Sequence, residues 1–298
     1  MSKKFTKVDL MMLIVILIWG LNLSLIKISL KEIPPIPFNG IRLLLSSFLL
    51  ILSILIFEKN LYIEKKDIPK FILLSILGHT IYQFLFIRGI NFTTASNTSV
   101  ILGTSPIVIS IFSSYFKHEK IKSIGWLGIF LGFVGLYIVI RGKGEIHLSS
   151  QTLKGDLLLS LAVILWAYYS VSSKPLLKIY SPLKFTGITM TIGSLLFFPF
   201  SIKEIKELPF PSISFQAWLW LIYSGAFALS LSLVIWFMSV KKVGNSQTAI
   251  YSNLQPVFAV IFAHFILSEK ITSNLVLGAM IIFLGIYLAR IGKEGKID

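Results

Sequence analysis

The residues best suited to holding a small molecule come in two polar clusters, each ending in proline. Ser96, Asn97, Thr98, Ser99, Thr104 and Ser105 precede Pro106, while Gln247, Thr248, Tyr251, Ser252, Asn253 and Gln255 precede Pro256. Both clusters lie inside long apolar runs. An amide or hydroxyl moved into an apolar medium without a partner costs roughly 2–7 kcal/mol, so these groups must turn toward the protein interior. Helix-to-helix hydrogen bonds account for some of them. Their number exceeds what packing needs and points to a polar cavity wall, with Asn97, Asn253 and Gln255 as the first candidate contacts. Pro106 and Pro256 each fall in mid-run, where proline removes a helix hydrogen bond. They are read as a kink, a bending point or the source of a carbonyl that faces a ligand.

Broad rings accompany the amides. Trp19, Trp166 and Trp236 supply surfaces for stacking on an apolar or aromatic molecule, and Trp19 and Trp166 sit about ten residues into their runs, away from the interfacial belts. Asn22, Tyr82, Tyr169 and Tyr251 complete the candidate contacts, with Gln83 and Tyr168 beside them. Tyr82 and Gln83 point about 100° apart on a helix, so only one of them is expected to face the cavity. His79 and His264 lie deeper than the basic residues near the run edges and are candidate proton carriers, with hydrogen-bonded packing as the plainer role.

Ionisable groups narrow the chemistry further. The acidic residues, including Asp9, Glu119, Asp156 and Glu269, stand at or near run ends, where they suit helix capping. No carboxylate waits in mid-run as the counter-charge for a hydrophobic cation. Lys27, Arg42, Arg88 and Lys174 place positive charge near the run edges, to snorkel or to attract a carboxylate or phosphate. Enzyme chemistry finds little support: His118-Glu119 is followed by Lys122 where a zinc protease helix needs a second His, and the chain has no Cys. A nucleotide-binding Gly-x-x-x-x-Gly-Lys-Ser/Thr loop is absent from the sequence. Neither a metal nor a cofactor is expected.

The elements that must position these residues are membrane spans. Hydrophobic residues make up 55% of the 298 and charged ones 14%, against roughly 25% charged in an average soluble protein, so the surface faces lipid. Runs near the roughly 20 residues needed to cross hydrocarbon occur at 9–30, 37–57, 70–90, 93–116, 122–140, 155–173, 183–202, 215–238, 247–267 and 272–290. The first is too long for a secretory signal and lacks a cleavage site. With the N-terminus inside, the cytoplasmic segments carry 18 Lys and Arg against nine opposite, which predicts both termini in the cytoplasm. The net charge of +15 follows from that asymmetry, and no continuous basic face for nucleic acid is formed.

The chain also repeats itself. Ser96–Tyr137 set over Ser246–Tyr287 agrees at 14 of 42 positions, and Asp9, Leu10, Trp19 and Lys27 fall on Asp156, Leu157, Trp166 and Lys174. Two five-span halves in sequence insert with opposite orientations, which makes them inverted repeats. Residues 1–141 form the first repeat, 142–154 a linker and 155–298 the second. Gly125, Gly128, Gly132 and Gly135 in the fifth span, with Gly278 and Gly285 in the tenth, allow close helix approach between halves or subunits, so a homo-oligomer is admitted.

Trp19-Gly20 with Lys27, Arg42, the Thr94–Pro106 stretch and Glu119 before a Gly-rich span resemble an EamA domain of the drug/metabolite transporter superfamily. Trp166-Ala167, Lys174, Gln247–Pro256 and Glu269 resemble a second copy. The resemblance implies ten helices, termini inside, a central cavity and export of amino acids, other metabolites or drugs. The expectation is therefore an all-α polytopic protein of the plasma membrane. It would be a secondary transporter, most simply an exporter of amino acids or related small metabolites working by alternating access. A channel, a lipid scramblase or an intramembrane enzyme is the alternative. Its partners are the bilayer and a small-molecule substrate.

Overall fold

The computed structural model describes residues 6–93, 98, 101–116, 118, 120–141, 150–255, 257, 258, 262 and 273–292, and the regular structure among them is helical with no strand. Helix α1 is Lys7–Ser29 and α2 is Pro35–Phe57. Thr6 caps α1, its hydroxyl accepting from the Asp9 backbone N–H while the Asp9 carboxylate accepts from the Thr6 N–H at 2.6 Å. Asp9 therefore has the capping role its position suggested. Helices α3 (Ile68–Ser75) and α4 (Tyr82–Phe92) are one stretch interrupted by a π-helical turn at Ile76–Ile81.

Next come α5 (Ser105–Tyr115), α6 (Ser123–Arg141), α7 (Ser150–Ser172), α8 (Lys174–Ile179) and α9 (Pro182–Lys206). Helices α10 (Phe215–Tyr223) and α11 (Ser232–Val243) again flank a π-helical turn, Ser224–Leu231. Gly244, at φ 95°, makes a break that residues with a Cβ rarely adopt. It leads into α12 (Asn245–Ala249) and a 3₁₀ stretch, Ile250–Leu254. Helix α13 is Ser273–Ile291.

Six helical stretches among the described residues are long and apolar enough to cross a membrane, and Ile101–Tyr115, Ser123–Gly135 and Val276–Ala289 are shorter apolar helices. Their polarity is the reverse of a soluble bundle. The outward stripe of α1 is Leu10, Ile14 and Leu17, and that of α7 is Leu153, Leu157, Leu161 and Ile164, whereas Asn39, Arg42, His79, Gln83 and Thr189 are buried. Apolar groups on the outside and hydrogen-bonding groups inside suit a hydrocarbon solvent. This is a membrane protein.

Helix α2 runs along α9, α4 packs on α7, α1 packs on α11, and α6 lies against α13. Glycine sets the last pair. A Cβ built on Gly128 would lie 2.6 Å from the Gly285 carbonyl oxygen, and one on Gly135 would lie 2.7 Å from the Gly278 carbonyl oxygen. Only hydrogen in place of a side chain permits that approach. The order of these contacts makes α6 and α13 antiparallel, and it settles the glycines as a contact within one chain.

Pro106 stands at a break in the helical path of its run. Helix α5 begins at Ser105 with the proline in its first turn, where the missing N–H has no helical partner to lose. The chain arrives through tight turns, with Thr104 N–H donating to the Ile101 carbonyl and Ile107 N–H to the Thr104 carbonyl, each at 3.0 Å. Among the described residues of the fourth run, 101–103 and Ser105–Tyr115 are helical, with a turn at Thr104 just before the proline. Asn97, Pro256 and His264, and with them Glu119, Glu269 and most of the linker, lie outside the described residues.

Candidate functional site

Three tryptophans from three helices meet at the centre. Trp19 on α1, Trp166 on α7 and Trp236 on α11 have ring centroids 6.2, 5.4 and 5.5 Å apart, and Tyr82 on α4 lies 5.7 Å from Trp166. Separations of 4.5–7 Å with tilted or edge-on planes are favourable for aromatic pairs. Two indoles are anchored by their N–H groups: Trp19 donates to the Ala228 carbonyl at 3.0 Å, and Trp236 to the Ser170 hydroxyl at 3.2 Å.

These rings wall a cavity of about 100 Å³. Its polar side is made by Asn22, Arg42, His79, Gln83, Ser105, Ser252 and Gln255, and its apolar side by Leu23, Phe86, Leu102, Leu229 and Leu233 with the tryptophans. Ligand pockets usually hold about 300–1,000 Å³, so a large molecule enters only if the wall moves. Both π-helical turns reach the cavity, the first through Gly78 and His79 and the second through Ala228 and Leu229. Such turns often occur at functional sites.

Arg42 was expected at a membrane edge and is instead in the cavity wall, 1% exposed. It lies two turns into α2. Its Nη1 donates to the Ser224 hydroxyl at 3.0 Å, and its Nη2 to the Asn39 and Gln83 side-chain oxygens at 2.5 and 2.8 Å. All three acceptors are neutral. Nε has no partner among the described residues, and no Asp or Glu stands among the described residues of the cavity wall. Burying a cation without a counter-ion costs several kcal/mol even after relaxation.

His79 presents Nδ1 without a partner among the described residues, while Nε2 shares hydrogen bonds with the Tyr169 hydroxyl at 2.9 Å and Thr189 at 3.3 Å. Tyr169 and Thr189 are themselves 2.9 Å apart. Asn22 Oδ1 is also unpartnered among the described residues and lines the same cavity.

Of the residues singled out from sequence, Trp19, Asn22, His79, Tyr82, Trp166, Trp236 and Gln255 are brought together here. Tyr169 sits one layer back, behind His79. Tyr251 turns away and donates its hydroxyl to the Asp9 carboxylate. Asn253 packs on α6, so close that a Cβ built on Gly132 would be 2.3 Å from its Nδ2. The 3₁₀ stretch explains this sorting, since its three residues per turn place i and i+3 on one face. Ser252 and Gln255 share the cavity face, Ile250 and Asn253 share the face toward Gly132, and Tyr251 falls on a third.

Tyr82 and Gln83 both line the cavity, against the expectation of one. The cavity wraps around α4, so that Tyr82 faces α7 while Gln83 reaches Arg42 on α2. Arg42, Phe86, Leu229 and Leu233 were missed. For the last three a signal existed: 79, 83, 86 and 229, 233, 236 each follow i, i+4, i+7 spacing, one face of a helix.

That spacing exposes the repeat inside the cavity. Gly78 and Ala228, His79 and Leu229, Gln83 and Leu233, Phe86 and Trp236, Leu102 and Ser252, and Ser105 and Gln255 are each 150 residues apart, and every one of them lines the wall. Trp19 and Trp166, 147 apart, do the same.

Comparison with known proteins agrees in kind. The sequence profile of the EamA-like transporter family matches residues 6–141 and again 153–291. An uncharacterized transporter of Bacillus subtilis, YoaV, is 29% identical over 95% of this chain and 96% of its own length. An uncharacterized transporter of Archaeoglobus fulgidus is 27% identical over 95% and 97%. A solved crystal structure superposes with a TM-score of 0.79 at 17% identity, covering 95% of this chain and 97% of its own, a likeness of fold.

Proposed function

The chain belongs to the EamA-like transporter family, and from that premise we propose that it is a secondary transporter of the plasma membrane that exports amino acids or related small zwitterions and anions by alternating access. In this reading ten spans form two inverted repeats, 1–141 and 155–298, joined by 142–154, with both termini cytoplasmic. The observation that carries it is the cavity wall, to which repeat-equivalent residues contribute in pairs. A site shared evenly by two related halves can be opened by rocking one half against the other.

The glycine contacts support the inverted relation. Gly128–Gly285 becomes Gly278–Gly135 when each residue is replaced by its equivalent 150 positions away, as a two-fold axis across the bundle would require. The helix restart at Pro106 and the 3₁₀ stretch Ile250–Leu254 are the joints proposed to bend. His79, which lines the cavity and whose Nδ1 has no partner among the described residues, is the proposed proton carrier. Export as the direction, and amino acids as the substrates, rest on the family resemblance and on the absence of a carboxylate among the described cavity residues.

The test is counterflow of labelled amino acids in proteoliposomes holding the full chain, with and without a pH gradient. Saturable, trans-stimulated exchange is expected. Ion conductance without saturation, or no exchange of any metabolite, would end the transporter reading in favour of a channel or scramblase.

A further inference from the structure

The buried guanidinium has a consequence for which substrates fit. We propose that Arg42 is the anion-binding centre of the cavity: it takes the carboxylate of the substrate, Asn22 Oδ1 accepts from the substrate's ammonium group, and the Trp19–Trp166–Trp236 cluster receives the side chain. The proposal rests on the transport reading only for its consequence in transport; the binding it describes is separate.

Donor arithmetic comes first. Arg has five N–H groups, and three hydrogen bonds go to Ser224, Asn39 and Gln83. The Nε–H and one Nη1 hydrogen remain without partners among the described residues. Those three bonds come from three different places, α2 itself, α4 and the π-helical turn Ser224–Leu231, so the planar group is held in position before any ligand arrives. A preorganised, charged donor in a cavity whose described wall contains no Asp or Glu favours a negative group and repels a net cation. Carboxylate geometry matches a guanidinium fork better than an ammonium.

Asn22 supplies the second point. Asn22 lines the same cavity, its Oδ1 is buried and unpartnered among the described residues, and a carbonyl oxygen only accepts. A ligand presenting an N–H beside a carboxylate satisfies both residues at once, which is the head group of an α-amino acid. The apolar remainder then falls against indole, Phe86 and Leu233. A substrate lacking the carboxylate leaves the charge as it is in the empty cavity, and a site built for a group rejects analogues without it strongly.

The experiment uses the purified full chain in detergent, read by intrinsic tryptophan fluorescence and by thermal unfolding. The probes are L-alanine, L-leucine and L-phenylalanine, each against its carboxamide, which keeps the size and the ammonium but removes the negative charge. At least one acid is expected to quench and stabilise saturably, with its amide at least 30-fold weaker. Arg42→Gln should erase that preference, and Arg42→Lys should keep its sign with about tenfold weaker binding. Equal binding of acid and amide by the unaltered chain, no binding of any acid, or a preference that survives in a folded Arg42→Gln protein would overturn the proposal. Binding of acids with no counterflow would sustain Arg42 as the anion centre and defeat transport instead. Counterflow confined to neutral or cationic compounds would do the opposite.

Discussion

The wall contributed by the first half and the wall contributed by the second occupy equivalent places and differ in chemistry from one place to the next. His79 stands where the second half has Leu229 and Gln83 where it has Leu233, whereas Leu102 stands where it has Ser252; Asn22 and Arg42 line the cavity while Tyr169 and Thr189, 147 residues on, lie behind it. The backbones agree even in their irregularities, for each third stretch carries a π-helical turn at the cavity. Duplication thus preserves the backbone scaffold, while substitutions on it decide which places in the wall are polar. The proposed substrate, with a charged head and an apolar tail, would meet Arg42 and the indoles in one cavity.

The comparison can be broken most severely by making the first wall copy the second. Gln83→Leu takes from Arg42 its acceptor at 2.8 Å, and hydrogen bonds to charged groups contribute about 1.5–3 kcal/mol. The unfolding temperature in detergent should fall clearly; no change would mean that Gln83 does not support the charge. The reverse substitution, Leu233→Gln, places an amide among indoles and leucines and should cost about 1–2 kcal/mol, measured the same way. Retained stability would show the second wall to be wetter than its residues suggest.

Trp236→Phe matches the Phe86 position and removes the bond to Ser170 at 3.2 Å, for a loss of about 1 kcal/mol. The smallest effect is expected far from the cavity. Glu32, in the loop after α1, accepts from the Ser214 backbone N–H at 2.6 Å and its hydroxyl at 2.8 Å, so it joins the halves at the start of α10. Those two bonds hold its carboxyl below the usual range, the backbone one contributing most. A depressed folded-state value means stability present above the unfolded reference of about 4.3 and lost as pH falls through the folded value. The difference in unfolding temperature between the unaltered chain and Glu32→Gln should be visible at neutral pH and close in acid.

Much of this was legible before any coordinates, and what was not has a common cause. The tryptophans and His79 could be placed because depth along a continuous helix is a count of residues. The glycine faces could be paired with close packing for the same reason. Arg42 was misplaced at the edge because its partners Gln83 and Ser224 are 41 and 182 residues away, and burial of a charge depends on such distant contacts. Tyr251 and Asn253 were assigned to the cavity as polar residues in an apolar run, and residue type does not say which face of the 3₁₀ stretch a side chain takes. The π-helical turns have no signature in residue type, so neither could be read. Pro106 was read as a kink, a bending point or the source of a free carbonyl, and the sequence shows the proline but not the turn at Thr104 just before it.

Alternating access to one central cavity is the claim on which the rest depends, and the chain, having no Cys, is suited to test it. Ser252 lines the cavity, and Ser252→Cys changes one atom. Vesicles of both orientations would be treated with an anionic, membrane-impermeant methanethiosulfonate sulfonate, and labelling would be followed by mass. The account predicts labelling from either side of the membrane, slowed by the amino acid that shows counterflow. Labelling from one side only, under every condition of substrate and pH, would contradict it.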